Sequence, residues 1–367
     1  MIDNLKYVTY QTFTADTANS LQTVSNIKYF IRNGVNVELY FPLRNTESSD
    51  DLEELQNFYE INEDFQINGI IHPYPHGKVQ YFPKIVFHLS HFLWSRKTVK
   101  ELFKNNSDDY FFTRSDWIAY FLTKQGSKVV FECHQTSKLR SFILKNIHKF
   151  NNLKVIFLNE NLKSFYSFVD NSIVLHNGVD SELFEGKVTE TRKNTLLFLG
   201  NFSRFNQPRG LEEIISWFEE SNSTDFNLEI VGCDKTTYKV FTKKLSKNLN
   251  KNIIVTERVK RSDAIKKIQS AKVGLLINSP KNEHSHKYTS PLKYFEYLYG
   301  GLQIIAVDFP SHRKLPFSDN INFFQSGDSY SFFNTLNSIN HEHSLSSEEL
   351  NSITIDTRVK KIISLFS

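Results

Sequence analysis

The sequence predicts an α/β protein made of two Rossmann-like halves, and three observations carry that prediction. Apolar strand-like runs alternate with helix-period segments along the whole chain, which argues for mostly parallel, doubly wound sheets. The alternation restarts near residue 195, after the polar stretch Glu185 to Asn194. The length of 367 residues exceeds one ordinary core and suits two domains.

In the first half, Lys6 to Tyr10 reads as a strand, Ser20 to Asn33 as an amphipathic helix ending at Gly34, and Val35 to Phe41 as a second strand. Residues 45 to 64 are acidic and polar and read as a loop with a short helix. Asp109 to Thr113, Lys128 to Glu132, Val155 to Leu158 and Ser172 to Leu175 follow as strands, with a helix at Ser115 to Thr123. In the second half, strands are expected at Thr195 to Leu199, Asn227 to Val231, Ile253 to Thr256, Val273 to Ile277 and Ile304 to Val307. Helices are expected at Leu211 to Glu220, Lys239 to Asn248 and Ser262 to Ser270. Ser346 to Phe366 reads as one terminal helix, with Glu348 and Glu349 early and Arg358, Lys360 and Lys361 late, as the helix dipole favours.

Composition narrows the function classes. Hydrophobic residues make up 40% and aromatics 14%, with 33 Phe, enough for two packed interiors. A formal net charge of +4 is too mild for a nucleic-acid binder and is compatible with a phosphate-bearing ligand or an anionic membrane surface. Cys133 and Cys233 lie far apart in apolar runs without metal-ligand spacing, and read as buried thiols. The start, MIDNLKYVTYQTF, has neither the basic region nor the apolar core of a signal peptide. No window approaches a transmembrane span. A cytoplasmic protein is expected, peripheral on a membrane at most.

The segment Ser290-Pro291-Leu292-Lys293-Tyr294-Phe295-Glu296 carries the chemistry. It reads as a helix start holding a lysine and a glutamate, ended by Gly300-Gly301 and followed by a buried strand. Such a start in an open α/β sheet is a place for nucleotide phosphates. Pro291 fits the first turn because its missing N–H would lack a partner there. Three further segments precede it: His176-Asn177-Gly178-Val179-Asp180, Gly200-Asn201-Phe202-Ser203-Arg204 with Arg209-Gly210, and Val231-Gly232.

In this order the four segments resemble the retaining GT-B glycosyltransferases of family 4, of the bacterial surface-glycan type. The resemblance covers essentially the whole chain. It implies a GT-B fold, two Rossmann-like domains facing across a cleft with a C-terminal helix crossing back to the first. The implied domains are 1–184 on the acceptor side, 185–345 holding a nucleotide-sugar donor, and the helix 346–367. The implied reaction moves a sugar from a nucleotide-diphosphate sugar to a hydroxyl of a glycan or lipid-linked acceptor, with retention. A sugar-nucleotide epimerase of similar fold, or a non-catalytic glycan-binding subunit, are the rival readings.

Residue by residue, the resemblance gives Arg204 and Arg209 to the diphosphate, where arginine binds as a fork. It gives Glu296 to the ribose hydroxyls, with Lys293 as a second cation and the amides near Ser290, Pro291 and Leu292 at a phosphate. Gly200 and Asn201 complete the donor loop. His134, after Glu132-Cys133, is implied at the sugar or leaving oxygen. The loop holding Thr14, Ala15, Asp16, Thr17 and Asn19 is implied to face phosphate or acceptor. Family members often carry a second glutamate eight residues before the helix acid; here that position is Tyr288, followed by Thr289. Sugar contacts would then come from hydroxyls, imidazole or backbone. No metal or cofactor is expected, since Asp108-Asp109 lacks a third acid and reads as a solvated pair.

His72 to Lys100 mixes aromatics and bases, among them Tyr74, His76, Lys78, Tyr81, Phe92, Trp94, Arg96 and Lys97. A helix bearing Phe92 and Trp94 near Arg96 and Lys97 reads either as membrane-surface or as ordinary core-facing.

Overall fold

The computed structural model describes residues 2–15, 17–44, 48–72, 74, 82–103, 109–185, 191–204, 207–220, 224–248, 252–339 and 345–366, with Arg204, 241–242 and 244–248 described by backbone alone. Asp16, His76, Lys78, Tyr81, Asp108 and half of the expected Glu185–Asn194 linker lie outside the described residues. The chain divides into two units, Met1–Leu175 with Ile355–Ser367, and His176–Thr354.

Unit 1 is built on β1 (Asn4–Val8), α1 (Ala18–Arg32), β2 (Asn36–Leu43), α2 (Leu52–Tyr59), β3 (Gln66–Ile71), α3 (Pro83–Leu102) and β4 (Tyr110–Thr113). It continues through α4 (Asp116–Lys124), β5 (Lys128–Cys133), α5 (Lys138–Ile147), β6 (Leu153–Phe157), α6 (Glu160–Phe165) and β7 (Ser172–Val174). The seven strands run in the order β3-β2-β1-β4-β5-β6-β7, all parallel. The topology reverses between β1 and β4, so the loops after these strands border the switch point. Helix starts follow their sequence signals: Thr17, Asp51, Ser115 and Ser137 each accept a backbone N–H as N-caps.

Strand β3 was not among the expected strands. Its sequence, QINGII, interrupts the apolar pattern with Asn68 and Gly69. It sits at the sheet edge, and Gly69 is packed so closely on Asp50 that an added Cβ would lie 2.9 Å from its carboxylate.

Unit 2 holds β8 (Lys193–Leu199), the short antiparallel pair β9 (Ser203–Arg204) and β10 (Gln207–Pro208), α7 (Leu211–Glu220), β11 (Asn227–Cys233), α8 (Lys235–Asn248) and β12 (Ile253–Glu257). After these come α9 (Arg261–Ser270), β13 (Ala271–Leu276), α10 (Glu283–Lys287), α11 (Leu292–Tyr299), β14 (Gln303–Val307), β15 (Ile321–Phe324), α12 (Ser329–Asn337) and α13 (Ser347–Ser352). The sheet order is β12-β11-β8-β13-β14-β15, again parallel. Strand β8 is central, and the order in which strands are added reverses between β8 and β13.

The unit boundary falls earlier than the sequence places it, before His176 instead of after Phe184. The reason is local. Asn177 donates from its side chain to the Ser290 carbonyl, Val179 N–H bonds the Ile353 carbonyl at 3.0 Å, and Phe184 packs edge-on to Tyr299. The terminal helix is likewise two helices. Helix α13 opens with a capping box between Ser346 and Glu349, and Thr354 then leaves helical geometry to pair with Val179. Helix α14 (Ile355–Ser364) belongs to unit 1, where Ile355, Val359 and Ile362 join the core beneath α1.

Candidate functional site

The C-terminal edge of the unit 2 sheet brings three of the sequence-predicted residues, Gly200, Arg209 and Lys293, together. Strand β8 runs into Gly200, whose φ of +127° lies in the region glycine favours. Its N–H bonds the Val231 carbonyl at 2.7 Å. Gly232, at φ +104°, faces it so closely that a Cβ there would stand 3.3 Å from the Gly200 backbone. Two glycines on the neighbouring strands β8 and β11 therefore leave bare backbone one strand from the switch point, which lies between β8 and β13.

Two cations converge on that backbone. A Cβ at Gly200 would lie 2.5 Å from Lys293 Nζ and 3.4 Å from Arg209 Nη1. Both also sit over the buried ring of Phe198, the Lys293 ammonium 4.6 Å and the Arg209 guanidinium 5.9 Å from its centroid. Arg209 is positioned by its own N–H, which bonds the Phe202 carbonyl at 3.0 Å. Arg204 lies on β9, paired with Gln207 on β10; its side chain is outside the described residues. Asn201 is exposed beside Gly200.

Helix α11 presents Lys293 and Glu296. Pro291 is its N-cap, one position ahead of the first turn, and Glu296 falls in the second turn. The dipole argument for an acid in the first turn therefore does not explain it. Glu296 is 4% exposed and its Oε1 accepts from Arg261 Nη2. Tyr297 seats the helix: its hydroxyl accepts from Leu199 N–H at 3.0 Å and donates to the Leu197 carbonyl at 3.3 Å. The Tyr297 ring fills the space that Gly274 on β13 leaves open. Before α11, Ser290 is buried and its hydroxyl accepts from Asn177 N–H at 3.3 Å. Thr289 is buried with its hydroxyl on the Ser285 carbonyl, and Tyr288 stacks with His284. Leu292 is the first helical residue.

Arg261 and Phe198 were not singled out in the sequence. A signal for Arg261 existed: it opens α9, where the helix dipole disfavours a cation, so a carboxylate partner was to be sought.

Unit 1 places its predicted residues differently. His134 follows β5, and both ring nitrogens are engaged. Arg114 Nη2 donates to Nδ1 at 2.8 Å, which leaves Nε2 as the donor to Glu132. Burial and the Arg114 charge push its pKa down to about 3, so the imidazole is neutral. Glu132 is fully buried, paired also with Arg358 of α14, and held well below the usual carboxylate range mainly by Arg358, against the opposing effect of burial. Arg358 reaches Asn26 Oδ1 at 3.3 Å as well.

The loop after β1 is similarly occupied. The Tyr59 hydroxyl accepts from Ala15 N–H at 2.9 Å and donates to the Ala15 carbonyl at 2.8 Å. Thr17 caps α1, and Asn19 accepts from Arg114 through its carbonyl and its side chain. Thr14 is half-buried. Asp109 is not solvated but paired with Lys6. Both cysteines are buried. Among the described residues, no group of three His, Cys, Asp or Glu is placed to hold a metal ion.

No family model matches the sequence, and no curated protein matches it. Solved structures do. TarM superposes with a TM-score of 0.71 at 10% identity, over 100% of this chain and 99% of that one. Anabaena Alr3699/HepE, solved in complex with UDP and glucose, gives 0.65 at 12% identity over 99% of each chain. WaaB, a lipopolysaccharide outer core galactosyltransferase in its apo form, gives 0.64 at 11% identity over 99% of this chain and 98% of that one. At these identities the likeness establishes the fold, which is GT-B, an α/β fold of two Rossmann-like domains.

Proposed function

We propose that this chain is a glycosyltransferase that moves a sugar from a nucleoside-diphosphate sugar to a hydroxyl of a glycan or lipid-linked glycan, with retention of configuration. The observation that carries the reading is the convergence of Lys293 and Arg209 on the bare backbone of Gly200. A departing nucleoside diphosphate accumulates negative charge, and fixed cations beside exposed backbone stabilise it as it leaves. The solved complex of HepE with UDP and glucose is consistent with a ligand of this class.

In this reading Arg209, Lys293 and Arg204 hold the diphosphate, and the Leu292 amide at the start of α11 caps one phosphate. Glu296 accepts from the ribose hydroxyls, and Arg261, bonded to its Oε1, holds the carboxylate in place. Tyr288, Thr289 and Ser290 border the sugar. His134 serves as no base, since its acceptor nitrogen Nδ1 is taken by Arg114 and burial pushes its pKa down to about 3. The departing phosphate oxygen then takes the acceptor proton, on the face it leaves, which preserves configuration. No metal is assigned, and the reaction is assigned to the cytoplasm.

Calorimetry with UDP, GDP and ADP tests the site. One of them binds the wild type, and Arg209→Ala or Lys293→Ala weakens it about 10- to 100-fold, the worth of one charge-assisted hydrogen bond. Binding by none of the three, or unchanged binding by both variants, overturns the reading. The anomeric configuration of the product, read by NMR once an acceptor is found, tests retention.

A further inference from the structure

Helix α3 carries a feature that the sugar reading does not use. The sequence reads Phe92 and Trp94 either as membrane-surface or as core-facing residues. Trp94 is fully buried, with its indole N–H on the Ile70 carbonyl at 3.2 Å, and Phe92 packs edge-on to Trp117 of α4, which favours the second reading for this pair. The side chains that reach solvent lie one to three turns earlier. Phe82, Ile85 and Leu89 are 72%, 65% and 57% exposed, and Phe87 is 37% exposed.

Single exposed apolar residues need no explanation, but Phe82, Ile85 and Leu89 at the start of one helix form a patch, whereas Phe87 points to the other side and packs edge-on to Tyr10. At 100° per residue, Ile85, Leu89, Arg96 and Lys100 fall within about 60° of one another around the axis. That face is apolar at its N-terminal end and cationic at its C-terminal end. No acid occurs in α3 before Glu101. Lys84, Arg96 and Lys100 are exposed and form no ion pair among the described residues, while Lys97 reaches Glu101 at 3.8 Å.

We propose that the N-terminal end of α3 enters an anionic lipid bilayer tip-first, with Phe82, Ile85 and Leu89 below the headgroups and Arg96 and Lys100 at the lipid phosphates. The charge order selects a layered partner. A helix lying flat would need its apolar residues along the whole length, whereas here the polarity changes along the axis. At 1.5 Å per residue, Ile85 to Leu89 spans about 6 Å and Leu89 to Arg96 about 10 Å, which matches the depth of the boundary between headgroups and acyl chains. Among the described residues no helix is long and apolar enough to cross a membrane, so the contact is peripheral.

Vesicle flotation tests it, using phosphatidylcholine with and without about one-third phosphatidylglycerol. The wild type floats with the anionic vesicles and not with the neutral ones. The double variant Ile85→Ser/Leu89→Ser loses flotation, and Arg96→Ala/Lys100→Ala weakens it at low salt by about fivefold per cation removed. All four side chains are solvent-facing, so unchanged melting curves accompany these losses. Since Cys133 and Cys233 are buried, a solvatochromic dye on Ile85→Cys or Lys100→Cys reports depth. A blue shift at position 85 alone is expected, and equal shifts at both positions overturn the tip-first geometry. Failure to float, or flotation unchanged by Ile85→Ser/Leu89→Ser, overturns the proposal. So does a dimer in light scattering that this variant abolishes without any vesicle binding, which would make the face an interface between copies.

Discussion

Unit 1 and unit 2 both gather charge at the C-terminal edge of a parallel sheet, and they do it in opposite ways. In unit 1, Glu132 is fully buried and draws Arg358, Arg114 and His134 onto one carboxylate. In unit 2, Lys293 and Arg209 are brought beside glycine backbone and an aromatic face. A carboxylate that satisfies its cations makes a closed, structural cluster. Cations set where side chains are missing make a surface for an anion. The difference teaches that charge density alone does not locate a ligand site; what surrounds the charge does.

The largest effect is expected from breaking the closed cluster. Arg358→Met leaves Glu132 buried without its first partner, and such a loss destabilises by about 3–5 kcal/mol. Urea denaturation measures it, and Glu132→Gln in the same background adds to the loss, because buried Arg114, 3.6 Å from that carboxylate, is then left without its counter-charge. If Arg358→Met unfolds at the wild-type midpoint, α14 does not anchor unit 1 through this pair. The open site answers differently. Arg209→Ala weakens nucleoside diphosphate by about 1.5–3 kcal/mol with little change in unliganded stability, since its contribution is made to the ligand.

Acid sharpens the contrast. His91 is buried, stacked on Tyr10 at 4.1 Å and bonded to Ser115, and burial with nearby cationic groups lowers its pKa to about 3. The folded value lies below the unfolded 6.5, so the unfolded chain binds more protons between the two. Stability is therefore complete above about pH 6.5 and falls as pH drops toward 3. His134 acts in the same direction in unit 1, and His312, at about 4, does so in unit 2. Replacing His91 with Gln removes one such group, and the stability lost between pH 7 and pH 5 shrinks by roughly 2 kcal/mol. An unaltered pH profile would mean the imidazole is solvated.

The same contrast explains what the sequence disclosed. Unit 2's candidate site is made of residues near in sequence to strand ends: Gly200 after β8, Gly232 within β11, Lys293 and Glu296 on one short helix. Apolar runs such as Ile304 to Val307 fix the strands, and the strands fix the loops. Unit 1's cluster joins Glu132 to Arg358, 226 positions apart, and no local pattern announces such a pair. The capture of Ala15 by Tyr59 is of the same kind. Strand β3 was missed because an edge strand tolerates the Asn and Gly that weaken its pattern. The break at Ile353-Thr354 was missed because it comes from pairing with Val179, a tertiary override of helix propensity.

The smallest expected effect separates geometry from charge inside the open site. The Tyr297 hydroxyl bridges α11 to the end of β8 through Leu199 N–H and the Leu197 carbonyl. Tyr297→Phe keeps the ring against Gly274 and removes only that bridge. Leaving the buried Leu199 N–H without an acceptor destabilises by about 1–2 kcal/mol. Lys293, one helical turn before Tyr297, then loses its fixed register to Gly200, and nucleoside diphosphate affinity falls a few-fold while its dependence on salt is unchanged. Arg209→Ala, by contrast, flattens the salt dependence because a charge is gone. Should Tyr297→Phe also flatten it, the hydroxyl acts on the cations themselves and not on the helix that carries them.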